Sequence, residues 1–139
     1  MTLHQVEFHP LLYQKELLDY CNEKKIVVQA YSSLGAAEGW EVLSKNETIV
    51  RLAQKYGKSV PQVLLRWALQ HYLCVIPKTS RVKNLKPNFD LFSFETSAED
   101  MEAIDGLNSN TRFCWDPNTI HSFCVISINF MRICVLISN

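Results

Sequence analysis

The chain has 139 residues, of which 14 are basic, 14 are acidic and 47% are apolar. This length suffices for one domain, and the apolar fraction is ordinary for a soluble globular protein. The balanced charge implies no basic face for nucleic acid. The five cysteines show neither a CxxC pair nor metal-ligand spacing, so we expect no metal site and reduced thiols in a cytoplasmic protein. The first residues show no signal-peptide pattern.

The first third of the chain alternates strand and helix patterns. Residues 3–8 predict a strand, residues 13–24 an amphipathic helix, and residues 26–31 a second strand. Residues 32–35 form the exit loop of that strand. Residues 36–45 show no strong period, so we predict a loop there.

Two helices follow. Asn46 is a suitable N-cap for a helix over 47–56, and Gly57 stands where a glycine commonly ends a helix. A proline lies in the first turn of the next helix, which we predict over 61–71. Trp67 falls at helical spacing with other apolar residues, so we expect it in the core.

The pattern then gives one short strand and two further helices. Residues 74–76 include two β-branched side chains without alternation, which is typical of a buried strand. A weaker helix over 81–89 contains Pro87, which should bend or end it. Ser97, followed by acidic residues, predicts a helix from there to about residue 107.

This element order favours an α/β fold with parallel strands joined by right-handed crossovers. Three such strands leave two open edges and an uncovered face, so the unit normally belongs to a larger sheet or barrel. We expect Val6, Phe8, Val28, Ala30 and either Val75 or Ile76 to lose part of their cover on one face or the other, since the strands of a closed barrel bury one another. The isolated chain should then be marginally stable and prone to self-association.

One strand end carries a candidate anion site. Pro77 ends the third strand, and Lys78 follows with Thr79 and Ser80 at the start of a helical pattern. A lysine beside hydroxyls and free helix N–H groups can hold a phosphate. The alternative, commoner for any single lysine, is a solvated side chain at a strand end. The histidines at positions 4, 71 and 121 have no partners at metal spacing and are interpreted as ordinary surface or core residues.

Three stretches resemble signature sequences of the aldo-keto reductases, namely QVEFHP at 5–10, AYSSLG at 30–35 and IPKTS at 76–80. The segment TRFCWDP at 111–117 resembles the C-terminal loop of that family. The resemblance covers residues 1–120 and implies one domain, the C-terminal part of a (β/α)8 barrel with its last three strands. It also implies NADPH-dependent reduction of aldehydes or ketones, small-molecule carbonyl substrates and no metal.

The catalytic Asp, Tyr, Lys and His of that family lie on earlier strands, and the resemblance gives none of them a counterpart here. We therefore assign no catalytic residue and predict a fragment of an oxidoreductase that is inactive alone. One alternative is a non-catalytic product that binds nucleotide weakly or pairs with another chain. Another is a product without function.

The resemblance implies that this chain carries one wall of the NADPH site. On the nicotinamide side, Gln5 would hydrogen-bond the carboxamide and Tyr31 would stack on the ring. Ser32 and Leu34 would contact the pyrophosphate. Trp115 either packs as a tail residue or lies in a loop near the substrate pocket.

On the adenosine side, Lys78, Thr79 and Ser80 would contact the 2′-phosphate, and Asn88 would contact the adenine. Glu38 would close over the pyrophosphate and pair with Lys78.

Three features depart from the family's pattern. Asn84 stands where many members have an arginine that grips the 2′-phosphate, and an amide supplies neither the fork nor the charge. The resemblance therefore does not fix a preference for NADP over NAD. Pro87 could displace Asn88, and the loop after Gly35 is shorter than in many members.

The tail over 121–139 is a separate, unassigned hydrophobic segment. Asn129 and Arg132 interrupt it, and it is short for a membrane span, so membrane insertion is disfavoured. A strand on the open sheet edge is a second interpretation. A read-through or alternative splice product, outside the designed fold, is the one we favour.

Overall fold

A computed structural model describes residues 2–119. Its three strands, β1 Leu3–Glu7, β2 Val27–Tyr31 and β3 Cys74–Val75, form a parallel sheet in the order β1-β2-β3. The helices are α1 Lys15–Glu23, α2 Ala36–Leu43, α3 Glu47–Tyr56, α4 Val60–Gln70, α5 Leu85–Phe89 and α6 Ala98–Asp105. Single turns of 3₁₀-helix lie at Val82–Asn84 and Pro117–Thr119. The predicted three parallel strands are therefore confirmed.

Side-chain and glycine caps set the ends of three helices. The Asn46 side chain accepts the N–H three residues later at 3.2 Å, and Gly57 ends α3 with a φ of 61°. The Ser59 N–H donates to the Gln62 side chain at 3.0 Å at the start of α4. Ser97 caps α6 by accepting the N–H three residues later at 3.3 Å. These local signals are why the three helices were predictable.

The loop predicted over 36–45 is wrong, because α2 occupies most of it. This helix follows Gly35 in the left-handed region, at φ 83°, and has no capping side chain. It also contains Gly39, which lowers helix propensity by about 1 kcal/mol. Tertiary packing outweighs that cost: Leu43 is fully buried in a small cluster with residues of α3 and α4.

The weak helix predicted over 81–89 is divided into the 3₁₀ turn and α5. Pro87 thereby lies in the first turn of α5, where a backbone N–H has no intrahelical partner. The proline consequently costs this short helix no internal hydrogen bond.

The helices cover one face of the sheet. Val6, Ala30 and Val75 lie side by side in register, and they pack with residues of α1, α3, α4 and α6. Phe8 is fully buried and stacks on Trp67 with ring centroids 4.8 Å apart. The core position of Trp67 is confirmed.

The predicted loss of cover is wrong for four of the residues named for it, whereas Val75 is half-buried and Ile76 is 42% exposed. Val6, Phe8, Val28 and Ala30 are each at most 9% exposed, because they point toward the helices. The alternate residues face the other way, and Gln5, Gln29 and Cys74 form a register row that is exposed or half-buried. The uncovered face is therefore polar in this row, while the neighbouring row on the same face pairs Leu3, which is 49% exposed, with the half-buried Val27.

Among residues 2–119, no helix has the length and apolarity needed to cross a bilayer. The same residues hold no group of three His, Cys, Asp or Glu side chains placed to bind a metal. Cys21, Cys74 and Cys114 are free thiols. The tail over 121–139, which includes His121, lies outside the described residues. The three interpretations given for this tail therefore stay predictions.

Candidate functional site

The loops after β2 and β3, together with α2 and α4, line an open cavity of about 300 Å³. We call it the strand-end cavity. Leu34, Trp40 and Pro61 form its apolar wall. Its polar wall consists of Lys78, Thr79, Ser80, Arg81 and Asn84. The structure thus brings together four of the predicted site residues, Leu34 and the run from Lys78 to Ser80.

The polar wall is built on a turn centred on Thr79. Its hydroxyl accepts the Arg81 N–H at 3.1 Å and the Asn84 side-chain amide at 3.4 Å, and it donates to the Arg81 carbonyl at 3.3 Å. The side chains of Lys78 and Arg81 are exposed and have no ion-pair partner within residues 2–119. With no acidic residue in its lining, the cavity is suited to an anion.

A second cavity is larger, about 450 Å³, but its chemistry is different. It lies at the start of α1 and is lined by residues 13–17 together with Asn108 and Asn110. Its lysine, Lys15, is already paired with Asp19 at 2.6 Å, and Glu16 adds a negative charge to the lining. Size alone would favour this cavity, but the unpaired cations favour the strand-end cavity for phosphate.

A buried carboxylate at the end of β1 holds the C-terminal segment. Glu7 is fully buried and accepts hydrogen bonds from the Phe113 N–H at 2.8 Å and the Cys114 N–H at 3.2 Å. Arg112 donates to its second oxygen at 3.3 Å and to the Gln14 side chain at 3.4 Å. We call these residues 112–114 the strap, because they cross the carboxyl ends of β1 and β2.

His9 completes the surroundings of Glu7. Its Nε2 lies 3.1 Å from the Glu7 carboxylate and donates to it, and its ring lies 5.2 Å from that of Phe113. Burial lowers the pKa of His9 and outweighs the opposing effect of Glu7, so the ring is neutral. Its Nδ1 is buried without a hydrogen-bond partner among the described residues. The positive charge that faces Glu7 is therefore that of Arg112.

Tyr31 and Ser32 lie beside the strap. Tyr31 ends β2 opposite Glu7 in register, and burial raises the pKa of its hydroxyl, with a further contribution from Cys114. Ser32 has a φ of 52°, a strained value for a residue with a Cβ, and its hydroxyl lies 3.3 Å from the Cys114 sulfur. The strap thus contacts Ser32, and its Cys114 acts electrostatically on Tyr31; both residues were predicted to bind the cofactor.

The remaining predicted residues lie around these two places. Gln5 is exposed in the middle of β1, and Asn88 is half-buried in α5. Glu38 is exposed in the first turn of α2 and forms no ion pair with Lys78 in the described part of the chain. Trp115 is 58% exposed just beyond the strap. None of these four lines the strand-end cavity.

Sequence reasoning did not assign three residues that the structure places here. Trp40 lies on α2, so it was missed together with that helix. Arg81 directly follows the predicted run, and its unpaired charge was the available signal. Glu7 gave a weak signal, an acid between Val6 and Phe8 in a strand, and its partners in the strap are more than 100 residues away in sequence.

Comparisons with known proteins show the family and the fold of this chain. A profile described as "Aldo/keto reductase family" matches residues 1–109. The glyoxal reductase of Bacillus subtilis is 44% identical over 118 residues, which are 85% of this chain and 41% of that protein. An NAD(P)H-dependent D-xylose reductase of Pyricularia oryzae is 44% identical over 119 residues, 78% of this chain and 37% of that protein.

Solved structures give the same result. MGS-M4, an aldo-keto reductase from a deep-sea metagenome library, superposes with a TM-score of 0.82 and 32% identity, over 86% of this chain and 44% of that one. A mutant of Gox0644 in complex with NADPH superposes with a TM-score of 0.78 and 33% identity, over 86% and 43%. The chain spans about two fifths of the length of these relatives, and its fold is an incomplete (β/α)8 barrel. It belongs to the aldo/keto reductase family.

Proposed function

We propose that this chain forms the NADP-binding wall of a cytoplasmic aldo-keto reductase that reduces aldehydes or ketones to alcohols. The observation that carries the proposal is the strand-end cavity. It gathers Leu34 from the β2 exit loop with Lys78, Thr79 and Ser80 from the end of β3. Sites of barrel enzymes lie at the carboxyl ends of the strands, and a phosphate needs the kind of unpaired cations that Lys78 and Arg81 supply.

In this proposal each residue binds or orients one part of NADPH. Lys78, Thr79 and Ser80 hold the 2′-phosphate and Asn88 holds the adenine. The pyrophosphate is bound by Ser32 and Leu34, with Glu38 closing over it; the nicotinamide is bound by Gln5 and Tyr31, and Trp115 faces the substrate. The bound cofactor supplies the hydride.

The isolated chain is proposed to be catalytically inactive. Carbonyl reduction needs a proton donor at the carbonyl oxygen, and such a donor contributes roughly 10²–10⁴-fold in rate. Among the residues proposed for the site, Tyr31 has the only phenol. Its raised pKa makes it a weaker acid, and the proposal gives it the role of stacking on the ring. Oxidation of NADPH by a reactive aldehyde above a blank without protein would overturn this part of the proposal.

The experiment that tests the binding role compares wild type with Lys78→Met by calorimetry. We expect the substitution to weaken NADPH binding about tenfold, because one charge-assisted contact is lost at a partly solvated site. Lys83→Met is the matched control, since Lys83 is an exposed lysine on the adjacent 3₁₀ turn outside the cavity lining. Unchanged NADPH affinity in Lys78→Met would show that the role given to this lysine is wrong.

A second candidate function is binding to a partner chain. The outer edges of β1 and β3 are unpaired within the described residues, and Leu3 and Ile76 beside them are 49% and 42% exposed. Open edges of this kind pair readily with another strand. Size-exclusion chromatography should then show concentration-dependent association. A monomeric, concentration-independent two-state melt would contradict this candidate.

A further inference from the structure

The strap is joined to the predicted pyrophosphate residues from two sides. On one side, the Ser32 hydroxyl contacts the Cys114 sulfur at 3.3 Å. On the other, the Phe113 ring lies so close to Gly39 in α2 that a Cβ there would approach it to 2.5 Å. Ser32 and α2, which carries Glu38, therefore rest on residues 113 and 114.

The strap in turn depends on Glu7. Its carboxylate accepts both strap N–H groups and one Arg112 nitrogen, and it has no contact with solvent. Removing a buried acceptor leaves its donors unsatisfied, which costs more than the net value of the hydrogen bonds. A side chain at the end of β1 thus holds a segment that is joined to the exit loop of β2 and to α2.

We propose that Glu7 is a positioning residue: through the strap, it orders Ser32 and α2 so that they bind the pyrophosphate half of the nucleotide. This inference rests on the function proposed above. It assigns Glu7 no contact with the nucleotide. The 2′-phosphate contacts proposed for the strand-end cavity come from its polar wall, a separate turn whose hydrogen bonds run among Thr79, Arg81 and Asn84, so these contacts do not pass through the strap. Of the cavity lining, only the apolar wall includes a residue of α2, Trp40.

Two ligands distinguish the halves of the site. NADPH spans both halves, whereas adenosine 2′,5′-bisphosphate carries the 2′-phosphate that the strand-end cavity is proposed to hold. For Glu7→Gln, calorimetry should show NADPH affinity reduced about tenfold, while affinity for adenosine 2′,5′-bisphosphate changes by less than about twofold. The control Glu23→Gln removes an exposed acid at the end of α1, away from α2, the strap and the strand-end cavity, and should change neither affinity.

A second variant tests whether Glu7→Gln acts through the strap or merely unfolds the chain. Arg112→Gln removes one donor to Glu7 but keeps both backbone contacts, so its effect on NADPH should be smaller and in the same direction. Because the two side chains act as a unit, the double variant should be no worse than Glu7→Gln alone. Amide exchange at Phe113 and Cys114 should rise in each variant.

The possible results separate the two proposals. If Glu7→Gln weakens both ligands equally or neither, Glu7 has no specific positioning role, although the proposed function stands. If the effects of Arg112→Gln and Glu7→Gln on NADPH affinity are additive in the double variant, the two side chains do not act together through the strap, and the inference is wrong. If wild type binds neither ligand, the proposed function fails, and this inference fails with it.

Discussion

The two faces of the three-stranded sheet differ in what covers them. The row Val6, Ala30 and Val75 packs against helices and forms the core. The row Gln5, Gln29 and Cys74, on the opposite face, is exposed or half-buried. In a closed barrel the inward faces of the strands cover one another. The difference shows that this part of the barrel keeps the core between the sheet and the helices without the other strands.

A pair of substitutions sharpens the contrast between the faces and should give the largest effect. Phe8→Ala removes a fully buried ring stacked on Trp67 and should lower the free energy of unfolding by about 3–5 kcal/mol. Gln29→Ala on the open face should change it by less than about 0.5 kcal/mol. Urea denaturation followed by circular dichroism measures both. Equal effects would show that the sheet does not have one structural and one open face.

This contrast also explains which features of the fold could be predicted. Strands β1 and β2 and the helices α3 and α6 follow from local apolar patterns, caps and acids within a few residues. The sequence did not show that Val6, Phe8, Val28 and Ala30 keep their cover, because an apolar residue in a strand does not indicate on which side of the sheet the helices lie. Helix α2 was missed because packing of Leu43, a non-local contact, stabilises it.

The candidate site also has one part that could be predicted from the sequence and one part that could not. Lys78, Thr79 and Ser80 form a continuous motif. Because β2 and β3 are parallel, their carboxyl ends lie at the same end of the sheet, which brings this motif close to Leu34. The role of Glu7 could not be predicted, since its strap partners lie 105 to 107 residues further along the chain. A continuous run such as residues 78–80 can therefore be recognised in the sequence, whereas contacts between Glu7 and a segment more than 100 residues away cannot.

A smaller effect is expected where α2 meets the strap. Gly39→Ala places a Cβ 2.5 Å from the Phe113 ring, and such overpacking costs about 1–3 kcal/mol, partly offset by about 1 kcal/mol of helix propensity. The free energy of unfolding should fall, and amide exchange at Phe113 should rise. Gly106→Ala is the control, because its Cβ would meet only ordinary contacts at 3.4 Å and beyond, and it should not destabilise. Unchanged exchange at Phe113 in Gly39→Ala would mean that α2 does not support the strap.

The smallest predicted effect is a pH dependence that arises at His9. Burial holds the pKa of His9 below its ordinary value of 6.5, so the unfolded chain binds a proton before the folded chain does. The free energy of unfolding should therefore be highest above pH 6.5 and fall as the pH is lowered from there toward the folded-state pKa. Denaturation at pH 7.5 and 5.5 measures the difference. His9→Gln keeps a donor toward Glu7 but does not titrate, so its free energy of unfolding should differ less between the two pH values. An equal difference would mean that another group causes the pH dependence.

The central claim is that the strand-end cavity, on this incomplete scaffold, is the nucleotide site. Its most direct test is titration of the 139-residue chain with NADPH, followed by backbone amide shifts in NMR spectra. The account predicts saturable shifts at Leu34 and from Lys78 to Arg81, with little change at Tyr13 and Gln14 in the larger cavity. Saturable shifts centred on Tyr13 and Gln14, or no saturable shifts at all, would contradict it.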